Sequence, residues 1–303
     1  MQFGMNTGFA MKRWPEPERW SDLLRHHIGA DHAQLSLDMV SLEGGWLDIR
    51  RQADRIRSAC RRADLPLTSV FSGLVDYSQS MLLHPDRSMR EQAFERYKRA
   101  IDLTAMLEAP VFGGHMGACS TSDFGDEARR KTVRDEQIEL VSKLAGIAGD
   151  CGLKQLLWEP MPVAREWPSS IEECLDYAKV FEQMAGAKLG YCLDVGHCCR
   201  PDLPEAERDP YLWIEKLAVF SPILHLQQTD GRGDRHWCFT EETKADGIIS
   251  PAKVLDAIAA SARQDMPQLV FEVFPPFEAE DEKVLADVTE SVRYWREGTA
   301  ANA

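Results

Sequence analysis

Four side chains that can ligate a metal end or interrupt successive apolar segments in the second half of the sequence. They are Glu159, Asp194, His225 and Glu272. If these segments are neighbouring parallel strands, their carboxyl ends meet, and the four side chains can bind one divalent cation through three carboxylates and one imidazole. Oxygen-rich ligation with a single nitrogen suits Mn²⁺, Mg²⁺ or Co²⁺ better than Zn²⁺, whose structural sites favour a closed nitrogen and sulfur shell.

Two of these carboxylates lie within strongly apolar sequence. Glu159 follows Leu157-Trp158, and Glu272 stands in the middle of Val270-Phe271-Glu272-Val273-Phe274. A carboxylate buried among such residues needs a cation or several hydrogen-bond donors to offset its lost hydration. Any one of the four side chains could be an ordinary polar strand terminus. Their recurrence at successive strand ends favours a shared metal site.

Further polar side chains fall at the same predicted edge. They are His115 at the end of the fourth segment, His197 just after the sixth, and Asp234 and His236 in the loop after the seventh. With His225, this places four of the eight histidines where a barrel would have its active site. Their position makes His115, His197, Asp234 and His236 candidate substrate-binding residues.

The elements that must position these residues alternate along the chain. Apolar segments rich in β-forming residues predict strands at 2–6, 33–37, 67–71, 110–114, 154–159, 188–194, 222–228 and 267–273. Helical spacing predicts helices between them at 46–63, 87–108, 125–151, 170–184, 210–219 and 251–263, the last opened by Ser250 as N-cap and Pro251 in the first turn. Eight alternations in a single-domain length predict a (β/α)₈ TIM barrel. A doubly wound open sheet is the alternative, but residues 6–10 lack the GxGxxG phosphate loop.

The organisation of the chain is simple. No linker or break in composition divides its 303 residues. We therefore expect one barrel domain over residues 1–298, followed by a C-terminal tail over residues 299–303.

Composition narrows the class of function. Lys and Arg number 35 against 49 Asp and Glu, a net charge of −14 that repels a phosphate backbone and argues against nucleic acid as a partner. No window approaches the roughly 20 apolar residues that a bilayer requires, and no secretory leader opens the sequence, so we expect no membrane partner. The eight cysteines are scattered without a CxxC ladder. This pattern favours reduced thiols and a cytoplasmic protein.

Four motifs carry a resemblance to a known family. They are Trp158-Glu159-Pro160, Cys192-Leu193-Asp194-Val195-Gly196-His197, Leu224-His225-Leu226-Gln227-Gln228-Thr229-Asp230-Gly231 and Phe271-Glu272-Val273-Phe274. With them, most of the chain resembles the xylose-isomerase-like TIM barrels, a superfamily of sugar-phosphate isomerases and epimerases, ketose 3-epimerases and endonuclease IV-type repair enzymes. The resemblance implies that the four residues named first are the metal ligands and that His197 contacts substrate oxygens. Because such barrels often pair through their helices, it also implies a homodimer.

The chemistry that this resemblance implies also follows from the residues. An α-hydroxy carbonyl sugar can chelate the cation through its carbonyl and a neighbouring hydroxyl, which acidifies the carbon-bound proton and stabilises a cis-enediolate. If Glu159 and Glu272 flank the substrate on opposite faces, one can take the proton and the other return it, which is epimerisation. Return of the proton to the adjacent carbon would interconvert aldose and ketose, and the residues do not decide between the two.

Asp234 and His236 leave a second metal open. Their spacing resembles the second-metal element of bimetallic and trinuclear superfamily members, and His115 matches a further histidine used there. Endonuclease-type members carry another histidine after the third strand, where this chain has Phe71-Ser72-Gly73-Leu74. That difference and the acidic balance argue against a metal-dependent phosphodiesterase. It stays the alternative function, together with a non-catalytic sugar-binding barrel.

Two loop residues are candidates for contact with the substrate. Arg232, after the seventh strand, could hold a phosphate bidentately, and the ketose 3-epimerases place an arginine near this position. Trp14, after the first strand, could wall the pocket and exclude water. Residues 227–237 resemble tetrulose-phosphate epimerases more than free-hexulose epimerases. The sequence therefore predicts a metal-dependent epimerase or isomerase of a small ketose or ketose phosphate, with a tetrulose phosphate as the candidate.

Overall fold

Eight parallel strands close into one barrel in the computed structural model, which describes residues 1–300. The strands are β1 (Phe3–Asn6), β2 (His32–Ser36), β3 (Leu67–Phe71), β4 (Val111–Gly114), β5 (Gln155–Trp158), β6 (Lys188–Asp194), β7 (Ile223–Leu226) and β8 (Gln268–Phe271). They follow one another in chain order around the barrel, and β1 pairs with β8. The predicted (β/α)₈ TIM barrel is confirmed.

Helices occupy the connections between the strands. They are α1 (Pro17–Asp22), α2 (Trp46–Arg62), α3 (Leu74–Tyr77), α4 (Arg87–Met106), α5 (Thr121–Gly125), α6 (Glu127–Asp150), α7 (Ile171–Phe181), α8 (Pro210–Leu217), α9 (Glu241–Lys244), α10 (Pro251–Ala260) and α11 (Asp281–Ala300). A π-helical turn, Leu23–Ile28, extends α1. Ser250 is the N-cap of α10 as predicted, although its side chain makes no capping hydrogen bond. All six predicted helices are present within a few residues of their predicted bounds.

Strand β7 is shorter than predicted. It ends at Leu226 because the backbone of Gln228 pairs with Trp237 in the following loop, with N···O distances of 2.9 and 3.1 Å. The residues after β7 thus fold back as a hairpin instead of extending the sheet. This hairpin carries several of the predicted site residues.

Residue contacts are densest within two parts of the chain. The first comprises Met1–Leu35, Arg55–Leu67 and Leu193–Ala303, and the second comprises Ser36–Asp54 and Thr68–Cys192. In the first part, Trp295 of α11 packs on Phe3 and Phe271, with ring centroids 6.2 and 6.1 Å away. Neighbouring residues of extended chain face opposite sides. Glu272 therefore faces away from the helix against which Phe271 packs.

The second part repeats this arrangement. Trp158 of β5 packs on Tyr177 and Phe181 of α7, with centroids 5.3 and 6.0 Å away. Glu159, the next residue, is turned away from that helix by the same alternation. In both parts, a buried aromatic side chain on the helix side fixes the direction of the carboxylate that follows it.

The C-terminal boundary differs slightly from the predicted one. Helix α11 includes Thr299 and Ala300, the first two residues of the predicted tail, and residues 301–303 lie outside the described residues. The single domain over residues 1–298 stays a prediction.

None of the helices within residues 1–300 has the length and apolar character of a membrane span.

Candidate active site

His225 is held by an amide side chain of the second strand, Gln34. It is fully buried in β7, and its Nε2 lies 2.8 Å from the side-chain oxygen of Gln34, which also accepts a 2.7 Å hydrogen bond from the Asn6 amide. Because a carbonyl oxygen only accepts, Nε2 is the protonated nitrogen. In the neutral imidazole, Nδ1 then carries a lone pair.

The Nδ1 lone pair of His225 is directed at Glu272. The distance from Nδ1 to Oε2 of this glutamate is 3.0 Å, and its Oε1 accepts a 3.0 Å hydrogen bond from Asn6. Burial alone would raise the pKa of Glu272, but the neighbouring His225 lowers it below its usual value. An ionised carboxylate and an imidazole lone pair at this distance require a shared cation, either a proton or a metal ion.

One side-chain oxygen of Asp194 has no hydrogen-bond partner among the described residues. It ends β6 and is fully buried, and its Oδ1 accepts hydrogen bonds from the backbone N–H of Gly196 at 2.6 Å and from the Gln227 amide at 2.9 Å. Its Oδ2 is buried, has no hydrogen-bond partner within residues 1–300 and lies 4.0 Å from Nδ1 of His225. Burial raises the pKa of Asp194. A nearby cation would offset this cost of ionisation.

The fourth predicted ligand, Glu159, directly follows β5. It is buried, and its backbone N–H donates to the carbonyl of Gly114 at 3.0 Å. Ligand atoms of Asp194, His225 and Glu272 all lie within 4.8 Å of one another. The structure thus brings three of the four predicted residues together, and their carboxylates and imidazole fit an oxygen-preferring divalent cation. The role of Glu159 as the fourth ligand stays a prediction.

His197, Asp234 and His236 form a second cluster. Oδ2 of Asp234 lies 3.3 Å from Nε2 of His197 and 3.1 Å from Nε2 of His236. Nδ1 of His236 donates to the backbone carbonyl of Glu272 at 3.0 Å. Burial alone would lower the pKa of His236, but Asp234 raises it to about 9. His236 is therefore an imidazolium that donates from both nitrogens to fixed acceptors.

The same histidines are also near a metal ligand. Ligand atoms of Asp194, His197 and His236 lie within 4.8 Å of one another. The structure therefore brings three of the predicted substrate-binding residues, including Asp234, next to the proposed ligands. Their roles as substrate contacts or as second-metal ligands stay predictions, and His236 could ligate a second cation only after losing its proton.

His115 lies in the second part of the chain, together with an acid that was not predicted. Nε2 of His115 lies 3.5 Å from Oε2 of Glu166, and the ring of Tyr77 packs edge-on at 5.6 Å. Both His115 and Glu166 are buried. Glu166 lies in the loop after β5, where neither strand nor helix spacing distinguishes it from a solvated loop charge.

Arg232 and Trp14 stand apart from these clusters. Arg232 is exposed and lines a surface cavity of about 840 Å³ whose described lining includes none of the four proposed ligands. Trp14 is half-buried, with its ring 6.0 Å from that of Phe9. Their predicted contacts with substrate stay predictions.

Sequence reasoning missed the neutral amides of the site. Asn6, Gln34 and Gln227 are buried and bond to the proposed ligands, and Cys192 lies within 4.8 Å of a ligand atom of Glu159. A usable signal existed for Asn6, because it is a polar residue at the end of an apolar strand. Cys192 precedes Asp194 by two residues and so shares its face of β6.

Comparison with known proteins identifies the family of the chain. The sequence profile of the xylose isomerase-like TIM barrel family matches residues 24–296. The chain belongs to this family. A provisionally named xylose isomerase from Rhodospirillum rubrum ATCC 11170 superimposes with a TM-score of 0.91 at 32% identity, covering 98% of this chain and 99% of that one. D-psicose 3-epimerase from Clostridium cellulolyticum H10, solved with D-tagatose, has the same fold, with a TM-score of 0.73 at 14% identity over 98% and 99% of the two chains.

A curated relative is similar along nearly the whole chain. D-erythrulose 1-phosphate 3-epimerase from Brucella abortus (strain 2308) is 26% identical over 300 residues, which cover 97% of this chain and 95% of that protein. This relative, named as an epimerase, supports an isomerase-class enzyme.

Proposed function

We propose that the chain is a divalent-metal-dependent epimerase or isomerase of a small ketose or ketose phosphate. The observation that carries the proposal is the buried cluster of Asp194, His225 and Glu272, whose ligand atoms lie within 4.8 Å of one another. Glu159 is proposed as the fourth ligand, and both glutamates can also transfer protons. Mn²⁺, Mg²⁺ and Co²⁺ are the cations that this donor set favours.

Each residue of the site then has a defined task. When bound, the cation supplies Lewis-acid polarisation of the substrate carbonyl. One of Glu159 and Glu272 removes the proton from the carbon next to the carbonyl, giving a cis-enediolate, and the other returns a proton to the opposite face. Asn6 and His225 hold Glu272 in place, His236 holds Asp234 in place, and Asp234 with His197 binds substrate oxygens.

The substrate class is the finer part of the proposal. The Brucella abortus relative is named for a four-carbon ketose phosphate, and its similarity spans 97% of this chain. We therefore infer a tetrulose phosphate as the first candidate, with Arg232 as a candidate phosphate contact. The scattered cysteines, without a CxxC ladder, support action in a reducing compartment such as the cytoplasm.

Proton NMR in D₂O tests the function directly. Metal-stripped protein is resupplied with Mg²⁺ and mixed with tetrulose phosphates, pentulose phosphates and free ketoses. We expect metal-dependent deuterium incorporation at a carbon next to the carbonyl, together with a new stereoisomer. Conversion without solvent deuterium would contradict proton transfer by the glutamates. Cleavage of abasic DNA, or no reaction on any sugar, would contradict the function itself.

A further inference from the structure

The side chain of Gln227 joins two parts of the site. Its amide nitrogen donates to Oδ1 of Asp194 at 2.9 Å and to Oδ1 of Asp234 at 2.7 Å. Its amide oxygen accepts the backbone N–H of Arg235 at 3.2 Å and also that of His236. The residue is fully buried. Both donors and both acceptor positions of one amide are therefore used, and both donors go to carboxylates.

Few side chains could replace this amide. A glutamate has no N–H to offer and would add a third negative charge beside two carboxylates. A methionine of similar length would remove the donor to Oδ1 of Asp234 and would leave Oδ1 of Asp194 with the backbone N–H of Gly196 alone. The space is also closely fitted, since a Cβ on Gly196 would lie 2.4 Å from the amide carbon of Gln227. Gly196, between Asp194 and His197, makes room for the amide.

The two ends of this amide serve different elements. Asp194 ends β6 and is a proposed metal ligand, whereas Asp234 and His236 lie on the hairpin after β7. Because one rigid planar group bonds to both, a shift of the hairpin must change the hydrogen bond that orients Asp194. Likewise, a shift of Asp194 must change the hydrogen bonds that Gln227 makes to the hairpin.

We propose that Gln227 is a positioning residue that couples the metal ligand Asp194 to the hairpin bearing Asp234 and His236. This inference rests on the proposed function, because it assumes that Asp194 ligates the cation. If the inference is correct, replacing Gln227 changes both the affinity of the chain for the cation and the order of the hairpin. Partners of metal ligands commonly change metal affinity by 10- to 100-fold when they are removed.

The neighbouring residue provides a matched control. Gln228 is also a buried glutamine, and its amide bonds to the backbone of Ile249 and Thr229. Its side chain makes no hydrogen bond to Asp194 or Asp234 among the described residues. Gln228→Met therefore removes a buried amide of equal size without touching the proposed coupling.

Two readouts on the full chain test the inference. The first is Mn²⁺ affinity, measured by electron paramagnetic resonance titration. The second is tryptic cleavage after Arg232 and Arg235, two exposed residues of the hairpin, with and without Mn²⁺. For Gln227→Met we expect 10- to 100-fold weaker Mn²⁺ binding and no protection of the hairpin by Mn²⁺. For the wild type and Gln228→Met we expect wild-type affinity and clear protection.

A second variant tests the inference if Gln227→Met does not fold. Gln227→Asn keeps an amide but is one methylene shorter, so it cannot span both carboxylates and should also weaken Mn²⁺ binding. Equal affinity losses in the variants of Gln227 and Gln228 would overturn the inference, as would wild-type affinity and protection in a folded Gln227 variant. A wild-type chain that binds no divalent cation would overturn the proposed function and this inference with it.

Discussion

The side-chain oxygen of Gln34 accepts hydrogen bonds from both His225 and Asn6, at 2.8 and 2.7 Å. This oxygen therefore determines that Nε2 of His225 carries the proton. The other ring nitrogen, Nδ1, faces Glu272. A polar residue of β2 thus controls the electronic state of a proposed ligand on β7.

We expect Gln34→Met to weaken Mn²⁺ binding by about 10- to 100-fold, since His225 loses the acceptor that fixes its tautomer. Titration of the metal-stripped chain by electron paramagnetic resonance measures this. Gln137→Met is the matched control, because Gln137 is equally buried but its amide has no hydrogen-bond partner within residues 1–300. A similar loss of affinity in both variants would show that the effect of Gln34 is not specific to the site.

Glu159→Gln and Glu272→Gln should each lower turnover by at least about 100-fold, because each removes a proposed proton-transfer group. Both variants should also lose deuterium exchange in D₂O while keeping the far-ultraviolet circular dichroism of the wild type. Glu91→Gln, a change in α4, is the control and should keep full activity. Near wild-type rates in either site variant would contradict the proton-transfer roles.

Removal of divalent cations should abolish activity and lower the melting temperature. A ligand at 100 times its dissociation constant stabilises the native state by about 2.7 kcal/mol, so Mn²⁺ should raise the melting temperature in a concentration-dependent way. Thermal unfolding at increasing Mn²⁺ concentration measures this, and Asp194→Asn should reduce the response. An unchanged melting temperature at saturating Mn²⁺ would argue against a cation held by four buried ligands.

The sequence predicted the fold almost completely but the site only in part. Eight apolar segments at regular spacing determine a barrel, and strand ends determine which acids converge, so Glu159 and Glu272 could be found without coordinates. The amides of Gln34 and Gln227 could not be found in this way. A glutamine within a strand or directly after one has the same local pattern whether its side chain faces solvent or a ligand. Glu166 was missed for a related reason, since its burial depends on how a loop folds.

We predict that the buried thiol of Cys60 lowers the free energy of unfolding in alkaline solution. Burial in α2 raises the pKa of its thiol from the usual 9.0 to about 12. Because the folded value lies above the unfolded value, this contribution is complete below pH 9 and is lost as the pH rises towards 12. The loss should be about 1 kcal/mol between pH 9 and pH 10. Chemical denaturation at both pH values should show a smaller pH dependence for Cys60→Ala than for the wild type, and an identical dependence would contradict the assignment.

The pairing of β1 with β8 has a consequence for biosynthesis. Asn6 leaves the ribosome well before Glu272, to which it donates a hydrogen bond across a sequence separation of 266 residues. Contacts between such distant segments form late, because the intervening chain must be closed first. A nascent chain can therefore assemble the strands and helices that precede β8, but the environment of Glu272 is completed only after β8 has been translated. Translation products that end before β8 should accordingly lack a finished site.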